Sequence, residues 1–360
     1  MLFLQSAIDK MDDKVGRAAI IQNGSPLFSG GTASGESQIR RWLLESDLIE
    51  AIIALPVDLF YNTGIATYIW VLSKNKRQER KGKIQLIDAS SFFHKLRKAL
   101  GDKKNEISPE DRAAITKLYA GFPAENEFCK IYPNTEFIYR EYVVMQPLQR
   151  SYVITSDRIS AMLAKGSLSS LYDEAKVAEW ENAEELTGKD ARKLEIMQNN
   201  KPVFEAIISA LQAAVSDVVY YSPADFMPVL TNALSGATAE KKLLDKIADG
   251  LSVMDKKAEI QRDPKGNIIY DKETRDIEIV RWEESIDTYM AREVLPHVPD
   301  AKAFFEENLG AKKTVIKTGA EIPFTRYFYK YQQPVPSEEL KAKFLELECS
   351  VSNRVVRLFE

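Results

Sequence analysis

The stretch LIEAIIALPVDLFYNTGIATYIWVLSKNK, Leu48 to Lys76, decides the fold. It holds two apolar runs, Ile49 to Leu55 and Ile65 to Leu72, either side of a turn. Both have the length of buried strands and are rich in Ile, Val, Tyr and Trp. Between them Pro56 precedes Leu59-Phe60-Tyr61-Asn62-Thr63-Gly64. An aromatic pair beside Asn and Gly is turn chemistry, so the stretch reads as a hairpin. Its tip either packs locally or offers two rings to a partner.

Working upstream, Glu36 to Glu45 reads as a helix capped by Ser34 or Gly35, with Ile39, Leu43 and Leu44 turned inward. The loop Phe28 to Gly35 is rich in glycine, but Glu36 stands where a phosphate loop needs Lys, and no dinucleotide fingerprint follows a strand. It reads as a flexible connection over the sheet edge. Arg17 to Ile21 is a short strand. Leu2, Leu4, Ile8 and Met11 share one face of a helix with no N-cap before it, so the chain reads as starting within a helix. Downstream, Ile84 to Ile87 is one more strand. Helix, strand, helix, strand, strand, strand is half of an α/β sheet that closes on a hairpin.

After Ser90 the pattern changes. Ser108-Pro109-Glu110-Asp111 is a helix start, with Ser as cap, Pro in the first turn and an acid three residues on. Residues 136 to 154 alternate as two strands broken at Pro147. Glu174 to Ala214 is helical and charged, with breaks expected near Gly188 and Pro202. Asp263 to Asn267 is a tight turn. The last helix starts at Ser337, and Leu340, Phe344, Leu347, Val351 and Leu358 keep a heptad-like rhythm up to Glu360.

Composition narrows the class. In 360 residues, 49 Lys and Arg against 53 Asp and Glu give a net charge of -4, so any basic surface has to be local. Two cysteines and two histidines rule out a disulfide framework and argue against a Cys/His metal site, which fits a cytoplasmic protein. No apolar run reaches membrane-span length, and the first residues lack the features of a signal peptide. The local basic surface is found at Arg40 and Arg41, and at Lys74, Lys76 and Arg77 with Arg80, Lys81 and Lys83 behind them. These are the candidates for phosphate contact, against the plainer reading of solvated charge. His94 and His297 have no nucleophile beside them, and no catalytic motif emerges.

Taken in order, several segments resemble the modification (methyltransferase) subunit of type I restriction-modification systems, an adenine-specific DNA methyltransferase. They are Gly16 to Ile21 with Asn23-Gly24, Ile39-Arg40 with Leu43-Leu44, Ile52 to Pro56 with Leu59-Phe60-Tyr61 and Thr63-Gly64-Ile65, Val71-Leu72 with Lys74-Asn75-Lys76, Ile87 to Ser90, Gln146-Pro147-Leu148, Arg292 to Asp300, and Ile322 to Tyr331. The resemblance implies the back half of a Rossmann-like, S-adenosylmethionine-dependent methyltransferase sheet with a terminal hairpin, followed by a mostly helical C-terminal region. It implies three segments: 1–90 as the end of the catalytic domain, 91–170 as a mixed connection, and 171–360 as a helical tail.

The family's glycine-rich cofactor motif and its Asn-Pro-Pro-Phe/Tyr motif, which holds the target amino group for direct attack on the methyl, are not among these residues. The chain therefore reads as a C-terminal fragment, inactive alone, with no catalytic residue of its own and its S-adenosylmethionine site largely elsewhere. By the same resemblance Phe60 or Tyr61 rests against a flipped-out adenine, with Asn62 as a lesser polar contact. DNA, a specificity subunit docked on C-terminal helices including 337–360, and a restriction subunit are the implied partners. The rival expectation is a non-catalytic assembly subunit of a DNA-modification complex.

Overall fold

The computed structural model describes residues 1–356 except 124, 184, 186, 238, 239, 311, 313 and 332. In chain order the elements are α1 (Leu2–Lys10), β1 (Arg17–Asn23), α2 (Ser25–Phe28), α3 (Gly35–Glu45), β2 (Ile49–Leu55), β3 (Thr67–Ser73), β4 (Lys83–Asp88), β5 (His94–Leu100), β6 (Lys103–Glu106), α4 (Pro109–Gly121), β7 (Glu125–Asn126) and β8 (Cys129–Pro133). There follow β9 (Ile138–Pro147), β10 (Arg150–Tyr152), α5 (Ser156–Ala164), α6 (Glu174–Glu181), α7 (Gly188–Ala213), α8 (Pro223–Ala233), α9 (Lys241–Leu251), β11 (Ser252–Met254) and β12 (Tyr270–Arg281). The chain closes with α10 (Ile286–Tyr289), β13 (Lys302–Phe304), β14 (Thr318–Ala320), α11 (Phe324–Phe328) and α12 (Ser337–Val356). It forms two compact units, one of Met1–Glu141, Ile279–Glu284 and Glu306–Glu360, the other of Tyr142–Glu278 and Ser285–Phe305.

The first unit is built on a mixed sheet in the order β1-β3-β2-β4-β8-β7. The hairpin read from Leu48 to Lys76 is present, with β2 and β3 antiparallel. The sheet continues past it, since β2 also pairs in parallel with β4. Every residue of β2 is buried because both sheet faces are covered. Alternate side chains divide two cores. Ile52, Ala54, Tyr68, Trp70, Leu72, Ile84 and Leu86 pack with Leu4, Ile8, Leu43 and Leu44 of α1 and α3. Ile53, Leu55, Ile87 and Ala89 pack with Ile115 of α4. That helix starts with a complete capping box, Asp111 N donating to Ser108 Oγ and Ser108 N to Asp111 Oδ2. The C-terminal return of the chain also enters this unit, with β14 paired to Ile138–Arg140 of β9.

The second unit packs α5, α7, α8 and α9 around Met162, Ile207, Leu211, Phe226, Leu230, Leu234 and Ile247.

Several expectations need correction. The 171–360 segment is not mostly helical throughout: helices dominate to Leu251, and then β11, β12, β13 and β14 intervene. The strand β12 is rich in charge and largely exposed, so it carries no apolar alternation to announce it. The expected boundaries at 90 and 170 fall inside the first and second units. No break occurs at Pro202, and α7 runs through it. Pro202 and Gln198 are both exposed, so the Gln198 carbonyl deprived of its helical partner faces water. Leu2 points outward at 74% exposure while Leu4 and Ile8 are buried. On the terminal seam, Leu358 and Glu360 lie outside the described residues.

Candidate functional site

The tip between β2 and β3 is bonded to a second hairpin. Asp58 has a left-handed backbone, φ 56°, and Gly64 lies so close to it that a Cβ there would stand 2.5 Å from Asp58 Oδ1. Phe60 and Thr63 face each other across a one-bridge turn. The antiparallel β5–β6 hairpin then grips the tip through its backbone. Asp102 N donates to Tyr61 O at 3.0 Å, and Lys104 N and Asn105 N both donate to Asp58 O at 2.9 and 3.1 Å. The buried Asn105 amide adds a bond from Nδ2 to Val57 O at 2.9 Å. Gly101, at φ +63°, makes the β5–β6 turn directly against Tyr61 O, where a Cβ would come within 2.6 Å. Only glycine fits both the angle and the space.

This grip sorts the two rings. Phe60 is half-buried and forms part of the wall of a cleft of about 510 Å³, together with Ile53, Ile69 and Val71 of the sheet, Ile115 of α4 and Lys103. Tyr61 is 61% exposed, with the Lys103 ammonium 5.7 Å from its ring centroid. Asn62 is exposed beside it. The tip thus presents one ring at an apolar cleft and one ring to solvent, an arrangement suited to a flat, partly polar group.

The β5–β6 hairpin was missed in the sequence. Its residues His94-Lys-Leu-Arg-Lys-Ala-Leu-Gly-Asp-Lys-Lys104 carry five basic side chains against one acid. Lys95, Arg97 and Lys98 are exposed and unpaired among the described residues. Lys104 reaches Asp58 at 3.9 Å, and His94 Nε2 lies 3.2 Å from Asp111 Oδ2. The density of basic residues is the signal that could have found it. A strong alternating apolar pattern, which usually marks strands, is absent.

The residues expected to contact phosphate fare differently. Arg40 is fully buried and donates to Ala320 O at 2.8 Å, Pro26 O at 3.0 Å and Ser29 O at 2.7 Å. Burial also pushes its pKa down. Lys76 is buried against Asp47 and Lys83 O, and desolvation lowers its pKa in turn. Neither can reach a phosphate, and both are corrected to structural roles. Arg41 is spent on Glu45 at 2.7 Å, and Lys74 on Asp13 at 2.6 Å and Met11 O at 3.0 Å. Of that group Arg77, Lys81 and Lys83 are exposed without an ion-pair partner among the described residues. The neighbourhood of Arg77 is also remote from the tip. Arg77 follows the end of β3, beside the start of β2, and a seven-residue strand at ~3.3 Å per residue puts ~20 Å between the two ends.

The glycine-rich loop is closed on itself rather than loose. Ser34 Oγ caps α3 by accepting from Ser37 N, Thr32 Oγ1 donates to Glu141, and Gln38 Nε2 donates to Thr32 O at 2.6 Å. With Ser29 O held by Arg40, the loop keeps no open cradle for a cofactor. The loop as closed does not fit S-adenosylmethionine. No helix among the described residues is long and apolar enough to cross a membrane.

Comparison with known proteins gives the chemical context. Residues 1–157 match the family model described as N-6 DNA Methylase. The type I restriction enzyme MjaVIII methylase subunit of Methanocaldococcus jannaschii is 34% identical over 158 residues, covering 44% of this chain and 26% of that protein. The type I restriction enzyme HindI methylase subunit of Haemophilus influenzae is 34% identical over 119 residues, covering 31% and 25%. The chain therefore spans about a quarter of the length of the curated relatives it matches. Among solved structures, the type I restriction-modification system methyltransferase subunit from Streptococcus thermophilus aligns over 38% of this chain and 26% of that one, at 28% identity and a TM-score of 0.33.

Proposed function

We propose that this chain is part of the modification subunit of a type I restriction-modification system, an adenine-N6 DNA methyltransferase, and that it supplies the surface on which the target base rests. The observation that carries this is the Phe60–Tyr61 tip. It is locked to a basic hairpin inside the segment that matches the N-6 DNA Methylase model. A base drawn out of the duplex loses its stacking partners and gains an aromatic face here, worth ~1–3 kcal/mol. Lys95, Arg97 and Lys98 lie on the hairpin that holds the tip and supply the phosphate contacts that Arg40 and Lys76 cannot. This reading extends to the Rossmann-like half-sheet, with β1, β3 and β2 as its last strands.

S-adenosylmethionine is the proposed methyl donor of the complete enzyme, held by residues other than those described. What these residues do is bind and orient: Phe60 stacks on the base, and Tyr61 with Lys103 closes the outer side. The proposed specificity-subunit contact is α12. Leu340, Phe344, Leu347 and Val351 recur at helical spacing and are 53%, 66%, 64% and 53% exposed, a stripe suited to a partner helix. A restriction subunit is the remaining proposed partner, and the cytoplasm the proposed location.

The test is methyl transfer from labelled S-adenosylmethionine to adenine-containing DNA, using this chain with its specificity subunit. The expected result is no incorporation until a polypeptide bearing the Asn-Pro-Pro-Phe/Tyr and glycine-rich motifs is added. Incorporation by the chain and specificity subunit alone would overturn the assignment of catalysis to residues outside it.

A further inference from the structure

At the end of the sheet away from the aromatic tip, a register shift in β2 makes a second polar site. Ile49 pairs with Leu72 and Ala51 with Val71, so Glu50 is the extra residue of a bulge. Bulges re-aim side chains, and here a buried carboxylate collects an arginine cluster. Glu50 Oε2 accepts from Arg17 Nη2 at 3.2 Å, Oε1 accepts from Tyr119 OH at 2.7 Å, and Arg80 Nε lies 3.5 Å from Oε1. Arg80 is itself buried. It donates to Gln85 Oε1 at 2.8 Å and to Tyr119 O, with its guanidinium 4.7 Å from the Tyr119 ring and 4.3 Å from the Phe122 ring.

These groups do not fill the space around them. Arg17, Glu50, Asn75, Arg77, Arg80 and Tyr119 line a pocket of about 150 Å³, roomy enough for a small anion. Three guanidinium groups stand against a single carboxylate, which leaves the lining with a surplus of two positive charges. Arg17 spends only Nη2 on Glu50 and Tyr119, and Arg77 at the rim makes no ion pair among the described residues. A structural ion pair needs one cation for Glu50, and the buried Arg80 already serves. The exposed Arg17 and Arg77 are thereby left with free donors over a polar cavity, the fork geometry that matches a tetrahedral oxyanion.

We propose that this pocket binds a phosphate group, with Arg77 and Arg17 as its direct ligands and Glu50, held by Arg80, as the scaffold that positions Arg17. A small phosphate dianion cancels the surplus on the lining, and a phosphodiester, with a single charge, halves it. Its source is either a small phosphate or the backbone of a polynucleotide, and the site stands apart from the base-contact tip by the length of β2.

The experiment is equilibrium dialysis of the 360-residue chain against radiolabelled inorganic phosphate at low ionic strength. One saturable site per chain is expected. Arg77→Gln, an exposed rim change that leaves the core untouched, weakens binding roughly tenfold or more, as loss of one charge-assisted contact requires. Lys257→Gln, an exposed change outside the pocket, leaves it unaltered. Absence of saturable binding, or equal weakening by both variants, would overturn the proposal. Duplex DNA added as competitor separates the sources: displacement of phosphate from the wild-type site supports it as a polynucleotide contact, and retention supports it as a site for a small phosphate.

Discussion

Replacing Arg40 by Met tests whether this side chain is a structural tie or a phosphate ligand. The substitution keeps much of the aliphatic bulk and removes every donor. Two carbonyls, those of Pro26 and Ser29, lose the donor that Arg40 gave them, and Ala320 O keeps only the longer bond from Ser37 Oγ at 3.3 Å. Each orphaned acceptor costs ~1–3 kcal/mol. Removing a desolvated guanidinium returns part of that, although Glu36 and Glu321 lie within electrostatic reach of it. The net expectation is a loss of ~3 kcal/mol. It concentrates where α3 meets β14, since Ser37 Oγ also bonds the Ala320 backbone there. Urea unfolding followed by tryptophan fluorescence reads it directly, because Trp70 is fully buried in the same core. The midpoint falls while the slope holds, and hydrogen exchange at the Ala320 amide accelerates. An unchanged midpoint together with weakened DNA binding would refute the structural role and restore Arg40 as a backbone contact.

Other outcomes follow from the same geometry. Combining Lys95→Gln, Arg97→Gln and Lys98→Gln in the assembly with the specificity subunit reduces the slope of log affinity against log salt by ~2.7, at ~0.9 per phosphate contact. A slope unchanged by the triple variant would remove the hairpin from the DNA interface. Phe344→Asp with Leu347→Asp on α12 abolishes co-purification with the specificity subunit while the melting temperature of the chain stays put, because both side chains are exposed in it. Retained co-purification would place the docking surface elsewhere. At alkaline pH, burial raises the pKa of Tyr68, Tyr139 and Tyr152 above the ordinary value of 10.0. Their contribution to stability is therefore complete below pH 10 and is lost as the pH rises through the higher folded-state values. A spectrophotometric titration of phenolate shows these groups ionising late, together with unfolding; full ionisation near pH 10 in the folded protein would contradict it.

What the sequence disclosed was whatever local chemistry determines. The runs flanking Phe60 are apolar enough to be strands anywhere, and both became central strands with covered faces. Ser108 to Asp111 carries its whole capping box within four residues, so its helix was legible at once. Arg40 was illegible because its partners include a carbonyl 280 residues away, and nothing on its own helix shows that it points inward. The β5–β6 hairpin escaped because strands so basic and exposed have no apolar face to betray them. They are in place because they bond the backbone of the tip. Pro202 misled in the opposite direction: a rule for helix interiors lost its force on a solvent-facing turn. The Glu50 bulge could not be foreseen either, since a register shift belongs to a pair of strands and not to one.

The central claim is that the Phe60 ring receives the adenine that is methylated. Its most direct measurement is methyl transfer from labelled S-adenosylmethionine to duplex DNA by the complete assembly, comparing wild type with Phe60→Ala and Phe60→Trp. Loss of ~1–3 kcal/mol of stacking predicts a fall of roughly 5- to 150-fold in kcat/KM for Phe60→Ala. Phe60→Trp, which keeps an aromatic face, is predicted to retain most of the activity. Equal activity in wild type and Phe60→Ala would contradict the account.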